Sequence, residues 1–260
     1  MNSLPLPSII ASVLTAFLWG LVATSSLVVG GLLASWWTPG RRTLGVIMAF
    51  GAGVLISAVA YELVFEALQL AKLTGFPTLG FFSGAFTFFF ADWLIGRMGG
   101  SERTAIEATH QSNLVVPLVL AIILDGVPES VVIGLGILQG GTVSAAMLVA
   151  VFISNLPEAV AATTGMRSGG WSRTRILSLW LVIAVVCAAA SAAGYGLLGN
   201  LSPLWLSFVQ TFAAGAILMM LANTMIPEAY EHGGKLAGIF LVLGFAACVW
   251  VIVLEHVGSG

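Results

Sequence analysis

The chain has 260 residues, 59% of them hydrophobic and only 8% charged, with a net charge of −2. A soluble domain carries about three times that charge fraction, so the composition excludes a soluble globule. No basic patch is present to hold nucleic acid. What remains is an integral membrane protein whose surroundings are the lipid bilayer.

Eight apolar runs reach the length of about 20 residues that a crossing requires. They lie at about 8–36, 43–71, 76–96, 114–138, 143–165, 175–198, 204–230 and 235–256, and are numbered here as spans 1 to 8. The runs are continuous rather than alternating with period two, which predicts helices and not barrel strands. The expected fold class is therefore all-α integral membrane, one transmembrane domain over residues 1–260. Its connections are short, and the one notable polar loop is 97–113. Arg41, Arg42, Arg97, Arg103, Arg167, Arg173, Arg175 and Lys235 fall on one side of this topology, and only Lys72 falls on the other. The positive-inside rule makes the crowded side cytoplasmic and puts both termini outside the cytoplasmic membrane. Cys187 and Cys248 lie in apolar stretches and are read as free thiols.

The carboxylates come in chain order. Glu62 and Glu66 lie toward the outer end of span 2. Span 4 carries Asp125-Gly126-Val127-Pro128-Glu129, and span 5 carries Ser154-Asn155-Leu156-Pro157-Glu158. Asp125 and Glu129 are four apart and share one helix face, as do Ser154 and Glu158. Asn155 sits one residue round. A proline inside a helix cannot bond the carbonyl four residues back, which frees the carbonyls of Leu124 and Ile153 and predicts a loosened helix at each motif. Carboxylate, hydroxyl, amide and backbone oxygens at similar depth are ligands for a divalent cation. An ionisable residue at such depth costs about 2.5–3.5 kcal/mol on insertion scales, so a function is the default reading. The competing reading is that the carboxylates are protonated and bonded between helices.

Toward the inner end of span 7 stand Glu228, Glu231 and His232. With Glu62 and Glu66 they are read as stations on a cation pathway, beside the plainer reading that headgroups solvate them.

The chain also repeats itself. Residues 50–67 (FGAGVLISAVAYELVFEA) resemble residues 212–229 (FAAGAILMMLANTMIPEA) at an offset of 162. The copies are spans 2 and 7, which run in opposite directions. DGVPE and SNLPE are a second opposed pair on spans 4 and 5. This predicts inverted repeats, spans 1–3 against 6–8 and span 4 against span 5, with a binding site where they meet.

On these features the chain resembles the ZIP family of divalent metal transporters. The resemblance covers nearly the whole chain: eight spans, outside termini and the two Pro-Glu motifs. It implies that Glu129 and Glu158 occupy the positions of the family's shared metal ligands, with Asp125 where span 4 usually has His and Ser154 where span 5 has His or Gln. Gly126 replaces the usual Asn, and Cys187 aligns where many members carry a span 6 Glu. Those departures put a second metal in doubt and leave a single site of Asp125, Glu129, Ser154, Asn155 and Glu158. The resemblance implies zinc and a homodimer. The all-oxygen ligands relatively favour Mn²⁺, Fe²⁺ or Mg²⁺, and Cd²⁺ belongs to the same set of candidates.

The expected function is transport of a divalent metal across the cytoplasmic membrane toward the cytoplasm by alternating access, with the metal as substrate and no cofactor. A proton-coupled carrier of a small organic cation would also use buried carboxylates, but it predicts aromatic side chains around them. The flanking residues here are Ile, Val, Leu, Gly and Ala. An intramembrane enzyme is a further alternative. No HExxH, nucleophile elbow or basic phosphate clamp supports it, and the chain is not expected to be an enzyme.

Overall fold

The computed structural model describes residues 6–37, 39–72, 74–97, 115–140 and 143–258. Beyond Arg97, the polar loop expected at 97–113 lies outside these residues. Every described element is helical, and eight helices are long and apolar enough to cross a membrane. They are α1 (Leu6–Trp36), α2 (Arg41–Leu70), α3 (Phe76–Ile95), α4 (Val115–Gly140), α5 (Ala145–Ser168), α6 (Arg173–Leu198), α7 (Pro203–Gly233) and α8 (Lys235–Gly258). Helices α1 to α8 correspond to spans 1 to 8.

Local chemistry sets the helix ends. Ser144 and Ser172 cap α5 and α6, accepting from the backbone N–H of Met147 and Arg175. Pro77 and Pro203 stand in the first turns of α3 and α7, where a missing N–H costs nothing. The tight reversal from α7 into α8 uses Gly234 at φ 60° and ψ −147°, a conformation open to glycine.

Departures from α geometry do not fall where the prolines of spans 4 and 5 predict them. Helices α4 and α5 run through Pro128 and Pro157 unbroken. Instead α2 and α7 each contain a π-helical segment, Val59–Phe65 and Leu221–Met225. Their first residues, Val59 and Leu221, are separated by the same 162 positions as the repeated sequence. In α7 the cause is local. Pro227 offers no N–H to the carbonyl of Asn223, and the ladder rearranges just before it. In α2, where Phe65 stands at the matching position, the cause is tertiary. The side-chain amide of Gln210 on α7 donates to the Glu62 carbonyl at 3.1 Å, inserting into the ladder.

The helices pack as two groups of four. In the first, α1 lies against α4, α5 and α6, and α4 lies against α6. In the second, α3 lies on α7, α8 lies on α2, and α2 meets the end of α7. The groups meet where α5 touches α2 and α8, and where α4 touches α7 and α3. Small residues bring the backbones together. A methyl group at Gly53 of α2 would overlap the Leu241 carbonyl of α8, and one at Gly244 of α8 would overlap the Phe50 carbonyl. The α3–α7 pair repeats this with Gly215 against Phe81 and Gly84 against Phe212.

Polar bonds tie the first group internally. Thr24 donates to the Ala184 carbonyl at 3.3 Å, and Ser191 donates to that of Ala16 at 2.8 Å. The Trp180 indole N–H reaches Thr163 at 2.8 Å. The Arg167 guanidinium donates to the carbonyls of Ala34 and Ser35 at the end of α1. Outward faces are apolar and aromatic, with Phe82, Phe86 and Phe90 exposed on α3 and Val242, Trp250 and Val253 exposed on α8.

Candidate functional site

The polar residues of α4 and α5 meet at mid-helix, in the part of each span that would lie deepest in a bilayer. Glu129 is 2% exposed, Ser154 1% and Asn155 4%. The Asn155 amide nitrogen donates to Glu129 Oε2 at 2.9 Å and to the Val151 carbonyl of its own helix at 2.9 Å. With the nitrogen bonded twice, the amide oxygen is the Asn155 atom suited to a cation. Ser154 donates to the same Val151 carbonyl at 3.1 Å. Asp125 and Glu158 are half-buried. The Glu158 carboxylate lies within electrostatic reach of Asp125, Glu129 and Glu228. Among the described residues, no three His, Cys, Asp or Glu side chains are gathered closely enough to hold a metal ion by themselves. The carboxylates are thus neighbours strung along facing helices, interleaved with amide and hydroxyl groups, rather than a closed shell.

The surrounding helices leave little room. A methyl group at Gly51 of α2 would come within 3.2 Å of the Ser154 Cα and 3.3 Å of the Ile153 carbonyl oxygen, the carbonyl that Pro157 releases. Gly126 faces Cys187 of α6, whose sulfur would stand 2.9 Å from a methyl group there. Cys187 is fully buried, and both it and Cys248 are free thiols. The Ser130 hydroxyl turns inward to the Gly126 carbonyl at 2.8 Å.

Glu62 and Glu66 come together at a small cleft of about 30 Å³, which α4, α5 and α7 also line. Two further residues complete its polar wall. Gln139 of α4 donates to Gln210 Oε1 at 3.2 Å, and Gln210 Nε2 lies 3.4 Å from Glu66 Oε2. Neither glutamine stands out in sequence, since an amide near a span end is unremarkable until the fold places it opposite another.

On α7, Glu228 is 9% exposed and turns into the protein, so headgroup solvation does not describe it. Glu231 is exposed. His232 is half-buried against Gly45 of α2, its two ring nitrogens enclosed and without hydrogen-bond partners among the described residues. Glu228 and His232 are four apart on one helix face.

No protein-family model matches the chain, and no curated protein matches it.

Proposed function

We propose that this protein carries a divalent transition-metal cation across the cytoplasmic membrane toward the cytoplasm, with Zn²⁺ as the first candidate and Mn²⁺, Fe²⁺ and Cd²⁺ behind it. One observation carries the reading. Glu129 is held in the packed interior of a membrane-spanning bundle, against the amide of Asn155 on a facing helix, with Asp125 and Glu158 in electrostatic reach. Carboxylates within electrostatic reach of one another in a low-dielectric interior repel, and a divalent cation relieves that repulsion. The donors are Asp125, Glu129, Ser154, Asn155 and Glu158, completed by water on the ion. They are hard ligands, suited to the borderline and harder cations.

The proposed route enters through the cleft of Glu62 and Glu66, passes the site on α4 and α5, and leaves along α7 by Glu228, Glu231 and His232. Glu228 lies within electrostatic reach of Glu158, which supports a continuous path. His232 adds a nitrogen ligand on the way out. Alternating access is motion of the α1, α4, α5, α6 group against the other four helices.

Inverted repeats underlie that motion in this reading. Exchanging α1 with α6, α2 with α7, α3 with α8 and α4 with α5 converts the α3–α7 contact into α8–α2, α1–α5 into α6–α4 and α2–α5 into α7–α4, all of them contacts of the fold. The matched π segments and glycine approaches support the same exchange. Together with the Pro-Glu motifs, these features favour membership of the ZIP family, and a homodimer is proposed from that resemblance alone.

Uptake of Zn²⁺, Mn²⁺, Fe²⁺ and Cd²⁺ into proteoliposomes tests the reading. The wild type takes up at least one metal, while Glu129→Gln and Glu158→Gln reduce uptake to the level of empty vesicles. Ligating carboxylates must be deprotonated, so protons compete with the metal and uptake falls as the pH is lowered. Equal uptake by the wild type and both variants would remove this site from the mechanism.

A further inference from the structure

We infer that Glu255 and Gln139 latch the two four-helix groups together at the end of the molecule that carries Glu62 and Glu66. The path from that end to Glu129 opens only when both links part. The inference rests on the transporter reading and adds the residues that control access to its site.

The first link joins α8 to α5. The Glu255 carboxylate accepts from the backbone N–H of Ala145 at 2.6 Å and of Ala146 at 3.3 Å, and lies 3.5 Å from the Ser144 hydroxyl. The first N–H groups of a helix have no partner within it and form the positive end of its dipole. Helix α5 has no acidic residue in its own first turn, so its negative partner comes from the opposite group. The second link joins α4 to α7 through Gln139 and Gln210. Gln210 is 2% exposed and anchored on α2 by the Glu62 carbonyl, so Gln139 grips a fixed point.

Both links cross between the groups, and both lie at one end. The bonds of Thr24, Ser191, Arg167, Trp180 and Asn155 stay inside the first group. At the depth of the site, the contact between groups that Gly51 makes with Ser154 and Ile153 is a close backbone approach. The cleft between the latches has an apolar lining of Val132, Ile133, Leu135 and Met147, all buried. Val132 is three residues beyond Glu129, so this apolar layer stops the cleft about one helical turn short of the carboxylate. A hydrated ion passes only if the groups separate here, which breaks the bonds of Glu255 and Gln139.

The test uses full-length protein with Cys187→Ala and Cys248→Ala, carrying Val132→Cys as reporter, in proteoliposomes exposed to a bulky hydrophilic maleimide. Leu135→Cys is the second reporter should the first fail to fold. Glu255→Ala and Gln139→Ala are each expected to raise the labelling rate about fivefold, the population shift that follows loss of one hydrogen bond. The double variant exceeds either. Unchanged labelling in folded protein overturns the latch. So does a lower melting temperature with unchanged labelling, which would make Glu255 a structural helix cap only. Metal uptake by the same vesicles separates the two ideas. Uptake with unaltered labelling removes the latch alone, and altered labelling without uptake by any metal removes the transporter reading.

Discussion

Glu129 and Asn155 show how much of the site depends on single bonds. A carboxylate that is 2% exposed keeps one amide donor from the facing helix. Taking that donor away leaves a buried acceptor unsatisfied, at a cost of about 1–3 kcal/mol. Asn155→Leu is therefore expected to lower the melting temperature in detergent and, if the proposed metal site is correct, the affinity for Zn²⁺ or Cd²⁺. An unchanged melting temperature would mean that the Asn155 bond contributes nothing to the fold. The residues on α4 and α5 were legible in sequence because a four-residue spacing alone puts Asp125 with Glu129, and Ser154 with Glu158, on shared faces. Spacing does not show which side chains meet across helices. The Asn155–Glu129 bond, the electrostatic reach between Glu228 and Glu158 and the pairing of Gln139 with Gln210 all depend on tertiary packing.

At the scale of the elements, the spans were readable within a few residues because bilayer thickness sets the length of an apolar run. Their irregularities were not. Pro128 and Pro157 predict loosened helices, yet α4 and α5 continue through them. In membrane helices, neighbouring helices and inward-turned hydroxyls can compensate for a lost N–H. The π segment of α2 has no proline and owes its freed carbonyl to Gln210, a partner from another helix. Glycine contacts likewise became meaningful only in the fold. Gly244 faces the Phe50 backbone with no space for a side chain, whereas Gly238 on the same helix has nothing within 4 Å. Gly244→Ala is expected to push α8 off α2 and destabilise the protein by about 1–3 kcal/mol, as overpacking does. Gly238→Ala, by contrast, gains up to about 1 kcal/mol from helix propensity. Melting temperatures of the two variants check the contrast, and similar values would show that the α2–α8 approach is not tight.

For the whole molecule, composition alone led to a helical membrane bundle, and the eight crossing helices agree with it. The division into two groups of four was not legible, because helices adjacent in sequence are split between groups. Helix α1 belongs with α4, α5 and α6, while α2 and α3 belong with α7 and α8. The proposed sidedness rests on the distribution of the basic residues. In intact cells an impermeant thiol reagent should label Thr74→Cys and should reach Ser172→Cys only after permeabilisation. The opposite pattern would reverse the proposed orientation and the direction of entry. The most direct measurement is anomalous scattering from crystals of the protein grown with Cd²⁺ or Zn²⁺. A peak is expected between α4 and α5, about 2.0–2.6 Å from carboxylate oxygens of Glu129 and Glu158, and absent in Glu129→Gln. A peak confined to other residues, or none at saturating metal, would mean that the buried carboxylates serve packing and that the metal-transport reading is wrong.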